Sequence, residues 1–158
     1  MNHLIHWLTA HNEYNLHSPF VFDLYTTVIN TRVQGHFGGK PYELIYKLVN
    51  HFDAHKIWTD QQEDLLTHAI TLANNQATYI NDPKQADFIV AHNPTNIPTF
   101  QPADKVTLLF IHPHRNKATE KEWVNSYTRL HARVSIDLYH TGLLFMRHAL
   151  SPQHFSLR

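Results

Sequence analysis

The chain has no cysteine, which excludes disulfides, thiolate metal ligands and a cysteine nucleophile. Glycine is almost as scarce: four are present, at positions 35, 38, 39 and 142, so the stretch from Lys40 to Thr141 contains none. Neither a Gly-x-Ser-x-Gly nucleophile elbow nor a glycine-rich phosphate loop is found, which removes the support for hydrolase and nucleotide-triphosphatase readings. An excess of one charge is also missing. The 13 Lys plus Arg balance the 13 Asp plus Glu, leaving no long-range field to grip a phosphate backbone, so nucleic acid is not an expected partner. No run approaches the roughly 18 consecutive apolar residues of a membrane span, and the first residues lack a Lys/Arg-rich start followed by a continuous apolar stretch. The expectation is a cytoplasmic protein with no membrane partner.

What is present is enough for one core. At 158 residues and 42% hydrophobic, the chain suits a single domain over 1–158, divided into a helical extension (1–39) and an α/β core (40–158). Histidine is the oddest count, at 15. Because its reference pKa is about 6.5, the surface charge is expected to rise steeply below neutral pH.

Hydrophobic spacing sets out the elements. Leu4, Ile5 and Leu8 mark a helix over 2–13, mixed with His3, His6, Trp7, His11 and Tyr14 at spacings that suit core packing or a second subunit. Ser18-Pro19 reads as an N-cap followed by a first-turn proline, opening a helix over 19–31 with Phe20, Val21, Leu24, Val28 and Ile29 as its stripe. From Lys40, Leu44, Ile45, Leu48, Val49 and Phe52 describe a helix laid on a sheet. Strands and helices then alternate, as in βαβ units of a mostly parallel sheet. A strand is expected at 56–59. A helix follows, capped by Asp60 with Glu63 as capping-box partner, burying Leu65, Leu66, Ala69, Ile70 and Ala73. Strands follow at 77–80, 87–91 and 105–111, then a helix over 118–130 burying Trp123, Val124, Tyr127 and Leu130. Residues 134–139, a His140-Thr141-Gly142 turn and 143–147 form a closing antiparallel hairpin.

Two stretches carry a family resemblance: His17-Ser18-Pro19-Phe20-Val21-Phe22-Asp23, and Ser135-Ile136-Asp137-Leu138-Tyr139 through Gly142-Leu143-Leu144-Phe145-Met146-Arg147, with Gln153-His154-Phe155 beyond it. They resemble the bacterial class I S-adenosylmethionine (SAM)-dependent O-methyltransferase-like family. The resemblance implies a three-layer, Rossmann-like α/β fold. Between 79–80 and 88–89 the chain is too short for the helix, strand and helix that the family spends there, so a reduced sheet of six strands is expected, in order 2-1-3-4-6-5, with strand 6 antiparallel.

The departures bear on function. The family holds its cofactor with an acidic residue and a Gly-x-Gly turn after the first strand, because only glycine lets the backbone approach so closely. Here that place reads Thr59-Asp60-Gln61-Gln62-Glu63-Asp64. Gln61, Gln62 and Trp58 are expected to plug the carboxyl edge of the sheet, with Glu63 and Asp64 repelling a carboxylate-bearing ligand. No cofactor is therefore expected, and SAM enters only if the pocket is completed by a partner chain.

Open α/β sheets bind ligands beyond the carboxyl ends of their strands, so the degenerate-pocket candidates are Thr59, Asp60, Asn81, Asp82, His92, Asn93, His112 and His114. Asn81 or Asp82 suits ribose hydroxyls, though Asn-Asp-Pro is also a common turn. His92, Asn93, His112 and His114 stand where metal-dependent relatives carry ligands, and imidazoles suit Zn²⁺ or general-base work, but no His-Glu-x-x-His spacing supports a metal. The Asn93-Pro94 pair lacks the second proline and the aromatic of an amino-methylating motif. No residue is assigned a catalytic or metal-binding role. The leading expectation is a non-catalytic methyltransferase relative acting as an interaction or scaffold protein, pairing with itself or an intact paralogue. A divergent methyltransferase and a histidine-based metal protein are the alternatives.

Overall fold

The computed structural model describes residues 18–97 and 102–157. The helix expected over 2–13, and the core or dimer contact proposed for it, lie outside them. The rest is an α/β fold around a seven-stranded sheet, ordered β2-β1-β3-β4-β6-β5-β7. The strands are β1 (Lys56–Thr59), β2 (Thr78–Tyr79), β3 (Phe88–Ala91), β4 (Thr107–Ile111), β5 (Val134–Asp137), β6 (Thr141–Phe145) and β7 (Gln153–Ser156). Only β6 runs against the others; β4 and β5 both pair with it antiparallel.

Six strands fall in the anticipated order, and the seventh corrects the count. Residues 153–156 lie parallel to β5, with Val134 opposite Gln153 and Ile136 opposite Phe155, and Ser135 Oγ lies 2.7 Å from His154 Nδ1. This short, half-exposed edge strand carries too little apolar alternation to announce itself.

Side-chain alternation divides the core between the two faces of the sheet. Phe88, Val90, Leu109, Leu143 and Phe145 point to one face, where they meet α1 (Pro19–Leu24), α2 (Lys40–Phe52) and α3 (Asp64–Ala73). Ile89, Ala91, Leu108, Phe110 and Leu144 point to the other, against α4 (Lys117–Arg129) and its Trp123. β3 and β4 are buried along their whole length, as strands covered on both faces must be. β2 returns to β3 through residues 80–87 with a single 3-10 turn, Pro83–Gln85, in place of a helix. The Asp87 carboxylate fastens the end of that crossing by accepting bonds from the backbone N–H of His55 and Lys56 at 3.1 and 3.0 Å.

Helix ends and faces differ from expectation in five places. The helix expected over 19–31 is α-helical only to Leu24 and continues as a π-helical turn, Tyr25–Ile29. There the Thr26 and Thr27 hydroxyls donate to the Phe22 and Asp23 carbonyls and compete with the backbone ladder. Asp60 does not cap α3, which starts at Asp64 after Glu63 with no side-chain cap. Leu65 is 42% exposed and Val124 49% exposed, so neither belongs to the buried face assigned to it. Tyr127 is half-buried, packing beside Trp123 and 4.1 Å from the His154 ring.

Gly142 shows why β6 accepts α4 so closely. A Cβ there would sit 2.6 Å from the Trp123 ring, so the indole lies directly on the main chain where a side chain would otherwise stand.

Candidate functional site

The carboxyl ends of β1 and β3 bring together a polar cluster. Asp60 follows β1 and His92 follows β3, its neighbour in the sheet. The Asp60 side chain is 5% exposed. Its Oδ1 accepts from the backbone N–H of His92 at 2.9 Å and lies 3.1 Å from His92 Nδ1. Its Oδ2 accepts from the backbone N–H of Asn93 at 3.2 Å and from Asn96 Nδ2 at 2.8 Å. On the other side of the imidazole, His92 Nε2 lies 2.9 Å from Glu63 Oε1, which also accepts from the Tyr42 hydroxyl at 2.6 Å. The loops after β1 and β3 and the first turn of α2 are thus tied by one ring.

Both ring nitrogens face carboxylate oxygens, so the imidazolium, which donates from both, is the form the geometry favours. The bond to Asp60 is the chief reason His92 holds its proton above the ordinary histidine value; Glu63 adds to it, while burial opposes. For Asp60, burial by itself pushes the carboxyl up, but the bonds from His92, Asn96 and Asn93 together win and hold it below the usual carboxylate value. Glu63 follows the same logic: burial raises it, and the bonds from Tyr42 and His92 outweigh that. Burial and the bond to Glu63 push the Tyr42 phenol up to about 12. An imidazole clasped on both edges has no nitrogen left to serve as a base.

The other candidates are placed as follows. Thr59 Oγ1 donates to the Gln61 carbonyl at 2.9 Å, a local turn. Asn81 and Asp82 are exposed, and Asp82 Oδ1 accepts from the Lys84 backbone at 3.0 Å to start the 3-10 turn. Asn93 does the same for Thr95 at 3.0 Å. His112 and His114 meet His92 around a second feature, a cleft of about 370 Å³ that Arg115, Tyr139 and His140 also line. His114, its side chain 3% exposed, places Nε2 2.6 Å from Asp137 Oδ2, and the Tyr139 ring stacks on it at 5.5 Å. His112 adopts φ 52° and Tyr139 φ 68°, left-handed backbone that side chains rarely take and that concentrates at functional sites.

The residues expected to plug the edge do not do so: Gln61 and Gln62 are exposed and Trp58 is half-buried, packing on the α4 face of the sheet. Asp60, His92 and Glu63 instead bond to one another at that bend. Sequence reasoning reached Asp60 and His92 by position, but Glu63 was read as a helix cap. Tyr42, Asn96, Asp137, Tyr139 and His140 were not singled out as site residues. Asp137, standing at the carboxyl end of β5, could have been found by the strand-end rule that selected the others. Among the described residues, no three His, Asp or Glu side chains are grouped to hold a metal ion, and no helix is long and apolar enough to cross a membrane. No protein family, curated protein or solved structure gives a match to this chain.

Proposed function

We propose that this protein is a methyltransferase-like α/β protein that has given up SAM binding and acts as an interaction or scaffold protein. The observation that carries the reading is the Asp60–His92–Glu63 clasp. A nucleoside cofactor at the ends of β1 and β3 needs bare main chain to lie against and an acidic side chain to hold it. Here every residue of the bend bears a side chain, and the acidic one bonds its own fold through both oxygens. Entry of a ligand would break several charge-assisted bonds, each contributing on the order of 1.5–3 kcal/mol. The strand order and the reversed β6 support the methyltransferase-like part of the reading.

The interaction part draws support from the surface. Leu65 and Leu72 are 42% and 54% exposed and stand two turns apart on α3, so they share one face. The partner they suit is a second copy or an intact relative.

Titration calorimetry with SAM and S-adenosylhomocysteine tests the first part. No heat of binding is expected up to ~1 mM ligand; micromolar affinity would restore the catalytic reading. Sedimentation of the wild type and of Leu65→Lys with Leu72→Lys tests the second. An associating wild type made monomeric by the pair supports self-pairing, and unchanged sedimentation removes α3 as the contact.

A further inference from the structure

A second cavity, larger than the histidine cleft, shares no residue with the clasp. It has a volume of about 740 Å³ and opens between the π-helical turn after α1, the first turns of α2 and the β5–β6 turn, a size within the usual range of about 300–1,000 Å³ for small-molecule sites. Its floor is apolar: Leu44 and Leu157 are 6% and 1% exposed, with Ile29 and Leu138 half-buried beside them. Its charges do not cancel. Glu43 is the one carboxylate in the lining among the described residues, and its Oε1 sits 2.6 Å from the Lys47 ammonium, which also donates to the Ile29 and Thr31 carbonyls at 3.3 and 2.6 Å. Lys47 is thereby neutralised and fixed, whereas the exposed Arg32 and Lys40 at the rim have no carboxylate partner among the described residues.

We infer that this cavity is a binding site for a small organic anion: a carboxylate or sulfonate head held by Arg32 and Lys40, with a ring- or chain-sized apolar body lying on Leu44, Leu138 and Leu157. In a chain of zero net charge, two unbalanced cations over an apolar floor favour an anion with an apolar body and disfavour cationic ligands by repulsion. Tyr139 and His140 line both this cavity and the histidine cleft. The left-handed Tyr139, whose N–H donates to Asp137 Oδ1 at 2.8 Å, therefore sets the wall between the two. The inference does not depend on the loss of SAM binding, because the clasp and this cavity share no residue.

The test uses two fluorescent probes on the full chain: anionic anilinonaphthalene sulfonate and neutral phenylnaphthylamine, with decanoate as competitor. The anionic probe binds at one equivalent and decanoate displaces it. Arg32→Glu with Lys40→Glu, both on the surface, weakens that probe by about tenfold or more while changing the neutral probe by less than about twofold. Leu138→Trp fills the floor and removes binding of both. Unchanged melting curves establish that the variants fold. No binding of the anionic probe, several equivalents of it, or equal affinity in the charge-reversed variant would each overturn the inference.

Discussion

Two stretches of the same sheet edge both spend polar side chains on one another, but they differ in backbone strain and in the space beside them. At the ends of β1 and β3, the Asp60, His92 and Glu63 side chains are spent on one another and on the local backbone. At the ends of β4 and β5, backbone strain at His112 and Tyr139 is tolerated and open space remains on both sides of the hairpin turn. Satisfied polar groups stabilise both ends; strain and open space at the β4 and β5 ends are what leave capacity for a ligand there.

Removing the centre of the clasp should have the largest effect. Asp60→Ala leaves the His92 and Asn93 N–H groups and the His92 ring without their acceptor, and a loss of about 3 kcal/mol in urea unfolding is expected. A loss below about 1 kcal/mol would mean that the clasp is ornamental and the comparison unfounded. Next is Gly142→Ala, which pushes the new methyl into Trp123 on the hairpin side. It should cost about 2 kcal/mol, seen as a lower urea midpoint with a changed tryptophan near-UV signal.

A smaller effect, but a more diagnostic one, is the pH dependence of the clasp. Asp60 and Glu63 titrate below their ordinary values in the fold, so their contribution is complete above about pH 4.5 and is lost as pH falls through the lowered values. His92 behaves in the reverse sense. Its pKa is raised, so its contribution is complete below about pH 6.5 and is lost as pH rises through the raised value. The clasp is therefore strongest from about pH 4.5 to about pH 6.5. His92→Gln should be less stable than wild type by about 1–2 kcal/mol at about pH 6, with the gap narrowing by about pH 9. A gap constant across that range, in urea midpoints measured against pH, would place His92 in its neutral form. The smallest effect belongs to Gln61→Ala with Gln62→Ala: both side chains are exposed, stability should move by less than about 0.5 kcal/mol, and SAM binding should not appear in calorimetry.

Much of the fold was legible because it rests on long apolar runs with one period. Residues 107–111 of β4 and the Leu44, Ile45, Leu48, Val49 stripe of α2 announce themselves, and both are buried as read. The strand order followed from the resemblance and the short crossing at 80–87. What escaped was decided by single polar groups. Asp60 and Glu63 have the spacing of a helix cap, and only the approach of His92 from a neighbouring strand, some 30 residues on, diverts them. The π-helical turn depends on two threonine hydroxyls, and β7 on backbone bonds to β5 that no hydrophobic pattern encodes. Val124 and Leu65 were assigned to the core because they are apolar and near the stripe, and a helix of modest amphipathicity leaves such residues at the boundary.

The most direct test of the central claim follows His92, Asn93 and Asn96 by nitrogen-15 NMR while S-adenosylhomocysteine is added in large excess. The account predicts that the His92 ring nitrogens keep the signature of a doubly protonated imidazolium at about pH 6 and that none of the three residues shifts. Saturable shifts at all three, with the His92 ring released from its carboxylates, would contradict it.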